Sequence, residues 1–105
     1  MEPSYRVRRA DDRVAVSGDI DLGSSLGFAE DLHAAIAENA SETLELDLSR
    51  VTFIDSAGLQ VLISAVQSVH RPVHIGASPR VYVALDVVGL TKGQWDGVTV
   101  RRVDD

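Results

Sequence analysis

The sequence contains no cysteine, and only five of its 105 residues are aromatic. Without cysteine there is neither a disulfide nor a thiolate metal site, a usage that fits a reducing compartment. Long apolar runs are missing as well. No stretch approaches the roughly 20 residues of a membrane helix, and Met1-Glu2-Pro3-Ser4-Tyr5-Arg6 lacks the basic start and apolar run of an export signal. These absences predict a soluble, cytoplasmic protein that does not enter the membrane. Positive charge is also short. Ten basic residues face sixteen acidic ones for a net charge of −6, which opposes binding to a phosphate backbone. Arg6, Arg8, Arg9, Arg13, Arg101 and Arg102 cluster near the two ends, but no aromatics interleave them as a stacking surface requires. They read as a solvated strand face, and nucleic acid is not an expected partner.

What is present is ordinary globular material. Hydrophobic residues make up 45% and charged residues 25% of the chain, a composition that can build one core in a domain of this size. One domain over residues 1–105 is expected.

Short alternating stretches over 5–9 and 13–17, separated by Asp11-Asp12, predict a hairpin. Leu22, Leu26, Ala29, Leu32 and Ile36 then recur at helical spacing, with Ser24 or Ser25 as the cap and Asn39 as the end. Residues 43–48 alternate cleanly, placing Leu44, Leu46 and Leu48 on one face and Glu45 and Asp47 on the other. Residues 49–54 read as a connection with Phe53 and Ile54 turned inward. A second helix follows over about 56–69, with Leu59, Leu62, Ile63, Val66 and Val69 along its stripe. Residues 73–75 form a short strand. Ser78-Pro79 suits the cap and first position of a third helix with Val81, Ala84, Leu85 and Val88 buried. Gly89 is placed to end that helix, Trp95 lies in a polar loop over the end of the core, and 98–103 form the last strand. The expected architecture is α/β: a mixed sheet of about five strands with three main helices packed mostly on one face.

The stretch that carries function is Leu44 to Ala65, LELDLSRVTFIDSAGLQVLISA. At its centre an apolar segment ends and Ser56 stands where the next helix begins. Gly58, in the first turn, leaves no side chain beside that hydroxyl, so another protein's active site has room to approach, at about 1 kcal/mol of helix propensity. A phosphate on Ser56 would add about 1.5 to 2 negative charges at a helix start that tolerates an anion, and would act on a docked partner by repulsion and bulk. By itself the pentapeptide Asp55-Ser56-Ala57-Gly58-Leu59 reads as a plain helix cap at Ser56 sooner than as a phosphorylation site.

Taken with Gly18-Asp19-Ile20-Asp21 and with Ser78-Pro79-Arg80 and Gly89-Leu90, the stretch resembles the STAS family of sulfate-transporter and anti-sigma factor antagonist domains over nearly the whole chain. Ala57 departs from the family pattern, since many members carry a second serine or threonine there. The resemblance implies an anti-sigma factor antagonist without catalytic residues, cofactor or metal. Ser56 would be the phosphoacceptor, and Asp21, Asp55, Ser56, Ala57, Gly58 and Leu59 the partner-facing residues. The implied partners are an anti-sigma factor that is also a serine kinase and a phosphatase that restores Ser56, with the antagonist a monomer or weak homodimer. The alternative is an accessory or scaffold subunit of a stressosome-like or lipid-transport complex. The start at Met1 and the lack of a sensory or membrane segment favour a free regulator. An enzyme reading fares worse, because a hydrolase elbow needs glycine where Ile54 stands. His33, His70 and His74 have no metal-ligand spacing.

Overall fold

The structure is a computed structural model that describes residues 4–10, 12–92 and 95–104. Five strands form one sheet in chain order: β1 (Tyr5–Ala10), β2 (Arg13–Ile20), β3 (Leu44–Ile54), β4 (Val73–Ala77) and β5 (Val98–Arg102). The β1–β2 pair is antiparallel and every other pair is parallel. Each parallel step is spanned by a helix: α1 (Ser25–Glu38), α2 (Ser56–Gln67) and α3 (Pro79–Val87). Ala10 pairs with Arg13 across the hairpin. Of the expected turn residues, Asp12 is a turn and Asp11 lies outside the described residues.

All three helices cover the same face. Val14, Val16, Leu44, Leu46, Leu48, Val73 and Ile75 are buried beneath them, while Arg13, Glu45 and His74, one step along each strand, stay exposed. Helix α1 adds Phe28, Leu32 and Ala35 to this core, α2 adds Leu62, Ala65 and Val66, and α3 adds Val81 and Leu85. Trp95 packs against the core from the last loop. Ser78 caps α3 by accepting from the Val81 N–H, and its own hydroxyl donates to the Val51 carbonyl at 2.8 Å. Gly89, at φ +85, supplies the left-handed residue that stops α3. Arg71 reaches back to the end of α1, donating to the Asn39 side chain at 3.1 Å and to the Ile36 carbonyl at 3.3 Å.

Several sequence expectations give way here. Residues 49–54 are not a connection but the second half of an eleven-residue strand. The β2–β3 pairing shifts between Ala15 and Ser17 and again between Gly18 and Asp19. Each such irregularity breaks the two-residue alternation while the backbone stays paired. Leu48 and Val51 are therefore both buried three residues apart, and Phe53, expected inward, is 43% exposed. β2 and β4 run three and two residues further than their alternation suggested, to Ile20 and Ala77. Leu22 and Leu26, placed by spacing in the buried stripe of α1, are 75% and 74% exposed. The buried stripe is Phe28, Leu32 and Ala35 instead: Leu22 belongs to a separate 3-10 turn (Leu22–Ser24), and Leu26, inside the helix, falls on its exposed side. Val88 is 38% exposed at the cap of α3.

Tyr5 ties the edge strand to α1. Its ring meets Phe28 edge-on at 5.7 Å, and its hydroxyl donates to the Asp31 carboxylate at 2.7 Å. Burial, reinforced by that hydrogen bond and by the negative charges of Asp31 and Glu30, pushes the phenol up to about 12. The folded protein thus holds this proton more tightly than an unfolded chain, whose tyrosines ionise near pH 10. The stabilisation is complete below about pH 10 and is lost as pH rises toward 12. An alkaline titration followed by phenolate absorbance should show one tyrosine ionising near pH 12, and Tyr5→Phe should remove that step along with the loss of stability above pH 10. Persistence of the step in Tyr5→Phe would refute the assignment.

Candidate functional site

Because the helices follow parallel strands, α2 and α3 and the turn leading into α1 begin at one edge of the sheet, beyond the strand C-termini. The site lies there, where β2 and β3 end level with Ile20 opposite Ile54. Asp55 is its joint. The Asp55 N–H donates to the Ile20 carbonyl at 3.1 Å. One carboxylate oxygen accepts from the Gly58 N–H at 3.0 Å and so caps α2, while the other accepts from the Leu22 N–H at 2.9 Å. One side chain therefore fastens the start of α2 to the turn after β2.

Ser56 is the first residue of α2 and is exposed. Asp55 occupies the Gly58 N–H and the first helical bond runs from Leu59 N–H to the Asp55 carbonyl at 2.9 Å, so the Ser56 and Ala57 N–H groups precede the intrahelical ladder. Asp21 stands on the neighbouring turn. It caps that turn by accepting from the Ser24 N–H at 3.1 Å and the Ser24 hydroxyl at 3.0 Å, while its own N–H donates to that hydroxyl at 3.0 Å. Asp19, two residues earlier in β2, accepts from the Thr52 hydroxyl. The structure thus brings Asp21, Asp55 and Ser56 to one edge, with both aspartates also serving as caps.

The other expected site residues are less open. Ala57 is half-buried, and Leu59 packs against the core. Gly58 is buried, and a Cβ there would lie 2.6 Å from Ile20 Cγ2 and 3.1 Å from both the Ile20 carbonyl oxygen and Ile54 Cγ1. The expected reason for this glycine, room for an approaching active site, is replaced by a tighter one: α2 can start this close to the strand ends only without a side chain at 58. Missing from the sequence reading was the apolar rim. Leu22 is held beside Asp55, Leu26 follows on the first turn of α1, and Phe53 precedes Asp55 by two residues, all exposed. The signal was present, since Leu22 precedes two serines that can each begin a helix and so need not share its buried face.

This edge is an acidic and apolar surface around the exposed Ser56. His33 and His70 line a groove with Arg71 formed by the C-terminal end of α1 and the residues after α2, and His74 pairs with Glu45 at 3.4 Å. No described imidazole is thereby placed to take a proton from Ser56. No group of three or more metal-ligating side chains occurs among the described residues.

Comparison with known proteins fits this arrangement. The family model described as "Mlab, STAS domain" matches residues 4–100, and the chain belongs to the STAS domain family. Over 82 residues it is 29% identical to the anti-sigma-F factor antagonist RsfB of Mycobacterium tuberculosis, a match covering 75% of this chain and 66% of that protein. The chain thus spans just under two thirds of the length of this curated relative. Among solved structures it is similar to an anti-sigma factor antagonist from Mycobacterium paratuberculosis, with a TM-score of 0.66 and 25% identity over 90% of this chain and 83% of the other. The fold also matches that of the anti-sigma factor antagonist SpoIIAA in its unphosphorylated form, with a TM-score of 0.60 and 16% identity over 95% of this chain and 89% of the other.

The double use of Asp55 yields a measurable expectation. Asp55→Ala removes a helix cap and a cross-turn hydrogen bond and should cost about 2 kcal/mol of stability. Hydrogen exchange should accelerate at both the Gly58 and the Leu22 amides. Acceleration at Gly58 alone would mean that Asp55 caps α2 without holding the neighbouring turn. Gly58→Ala should destabilise by about 1–3 kcal/mol through overpacking against Ile20 and Ile54, despite alanine's better helix propensity.

Proposed function

We propose that this protein is an anti-sigma factor antagonist regulated at Ser56. The unphosphorylated form binds an anti-sigma factor that is also a serine kinase, so that a sigma factor is released. Phosphorylation of Ser56 ends that binding, and a phosphatase restores it. The observation that carries this reading is the exposed Ser56 hydroxyl, fixed by Asp55 beside the exposed Leu22 and Leu26. The similar proteins named as antagonists support it. So does the likeness of fold to SpoIIAA, for which a phosphorylated form has been solved.

The physical logic is that of a surface switch. Leu22 and Leu26 offer apolar area of the kind a partner desolvates. Ser56 lies beside them, and about 1.5 to 2 added charges, next to Asp55 and Asp21, oppose burial of that area against a partner. The catalytic groups belong to the partners, and Ser56 is a substrate hydroxyl. Asp21, Asp55, Ala57, Gly58 and Leu59 serve the interface in two ways. Asp21 presents a carboxylate at the edge, while Asp55, Gly58 and Leu59 hold Ser56 in place from beneath.

The test is incubation with the candidate kinase and ATP, with mass spectrometry to locate phosphate, and binding assays on Ser56→Ala and Ser56→Glu. Ser56→Ala should bind like the wild type without being modified, and its stability should change by less than about 0.5 kcal/mol because the site is exposed. Ser56→Glu should bind at least about tenfold more weakly. Phosphate at another residue, or equal binding by Ser56→Glu, would overturn the switch. A stoichiometric complex with a transporter ATPase that is insensitive to Ser56 would favour the accessory-subunit alternative.

A further inference from the structure

No described element covers the sheet face opposite the helices, and Arg6, Arg8, Arg13 and Arg101, four of the six arginines clustered near the chain ends, lie on it. In β1, Arg6 and Arg8 pair opposite Ser17 and Ala15, and Arg13 pairs opposite Ala10, so these residues share one face. Arg50 joins them beside Ser17. Arg8, Arg13 and Arg50 rim a groove of about 300 Å³ whose floor includes Ala10, Ala15 and Ser17. On the same face Arg101 borders a second, smaller depression with Glu45, His74 and Thr99. Among the described residues, five arginines thus stand on this face against three acids, Glu45, Asp47 and, at the end nearest Ser56, Asp19. That leaves this face net positive by two on a chain of net charge −6.

Among the described residues the arginine–carboxylate pairs form off this face, between Arg9 and Glu38 and between Arg102 and Asp104, while on it Glu45 lies 3.4 Å from the His74 imidazole. The rim arginines hold no described carboxylate at that distance. Asp47, in the groove, is engaged by the Ser49 N–H at 3.0 Å and hydroxyl at 2.6 Å. Although partial burial pushes its carboxyl upward, these bonds together with Arg13 and Arg50 hold it below the usual range, so it stays charged.

We propose that this uncovered sheet face is a docking site for an acidic segment of a partner protein. Guanidinium groups pair with carboxylates in a planar, two-bonded geometry, and the small floor residues let a chain lie close to the sheet. The fixed charge of Asp47 interrupts the positive surface. Side-chain carboxylates spaced along a peptide can step over it, whereas a continuous phosphate backbone meets it directly. No phenylalanine, tyrosine or tryptophan among the described residues lines either groove, and the single ring there, the His74 imidazole, lies against Glu45. Any polymer reaching beyond the face meets the acidic remainder of the chain, which favours a short segment.

The probe is a short fluorescein-labelled poly-L-glutamate, with an oligodeoxythymidylate of matched charge as competitor class, followed by fluorescence anisotropy at low salt on the full chain. Arg8→Glu, Arg13→Glu and Arg50→Glu combined should weaken polyglutamate binding by about tenfold or more. The same net charge change placed off the face, as Arg9→Glu, Arg80→Glu and Arg102→Glu combined, should weaken it by no more than about twofold. In the wild type, amide shifts during titration should concentrate on residues 6–17 and 47–50, a readout independent of whether the triple variant folds. Absence of polyglutamate binding, equal losses in the two triple variants, tighter binding of oligodeoxythymidylate, or shifts centred on the Ser56 turn would each overturn the proposal.

Discussion

Three crossovers of one hand between four parallel strands in sequential order determine most of what this molecule presents to its surroundings. When each strand is laid down beside the last in the same direction, crossovers of the same hand must all pass over the same side of the sheet. The helices then have nowhere else to pack, and the opposite face is left open. The helix starts are also forced to one edge, because each crossover leaves from a strand C-terminus. The Ser56 surface and the arginine face are both outcomes of that one constraint. Neither would exist if a crossover had gone to the other side, since a helix would cover the arginines and the Ser56 turn would lose its neighbour.

The same constraint sets the geometry at Ser56. Asp55 reaches the Leu22 N–H because β2 and β3 end at the same level, with Ile20 opposite Ile54. The irregularities in the β2–β3 ladder are what bring those ends level after unequal numbers of residues. Gly58 then allows α2 to start directly against them. The Gly58 and Leu22 N–H groups, the two donors that a phosphate on Ser56 could otherwise draw toward itself, are already engaged by Asp55. A phosphate is left with the Ser56 and Ala57 N–H groups and solvent. It is therefore added to an existing surface and has no unfilled structural role to take over.

Legibility in the sequence tracked how local each determinant is. The alternation of Leu44, Leu46 and Leu48, the Ser78-Pro79 start and the Gly89 stop are fixed by neighbours within a few residues, and all three were readable. The continuation of β3 past Leu48 was not, because a bulge is defined by the partner strand and breaks the very alternation that marks a strand. Leu22 was misplaced because helical spacing carries on across a cap into what is a separate 3-10 turn, and Leu26 because a stripe phased from Leu22 runs along the wrong side of α1. Asp55 was legible only as an acid near a helix start: the cap fell to it and not to Ser56, and its second bond goes to a residue 33 positions away. Gly58 was noticed for its cost, while the atoms that require it, on Ile20 and Ile54, are apparent only once the strands are side by side. The separation of Arg6 and Arg8 from Arg9 follows from alternation. Which of those two faces is covered depends on the hand of crossovers further along the chain.

The two surfaces differ in sign, which raises the question of whether charge placed at one is felt at the other. From Arg13 at the start of β2 to Ile20 at its end is seven steps, or about 23 Å at the usual rise of a strand. Screening in physiological salt reduces exposed charge interactions over about 8 Å. Nearly three such lengths separate a phosphate on Ser56 from Arg13, and about two separate it from Arg8, opposite Ala15. Arg50, four residues before Ile54, is the one rim arginine at about half that distance. A phosphate at Ser56 therefore acts only weakly on Arg8 and Arg13, and the arginines of this face nearest to it are Arg50 and, opposite Ser17, Arg6. The fold permits one partner to be switched at the strand ends while a second remains bound across the open face.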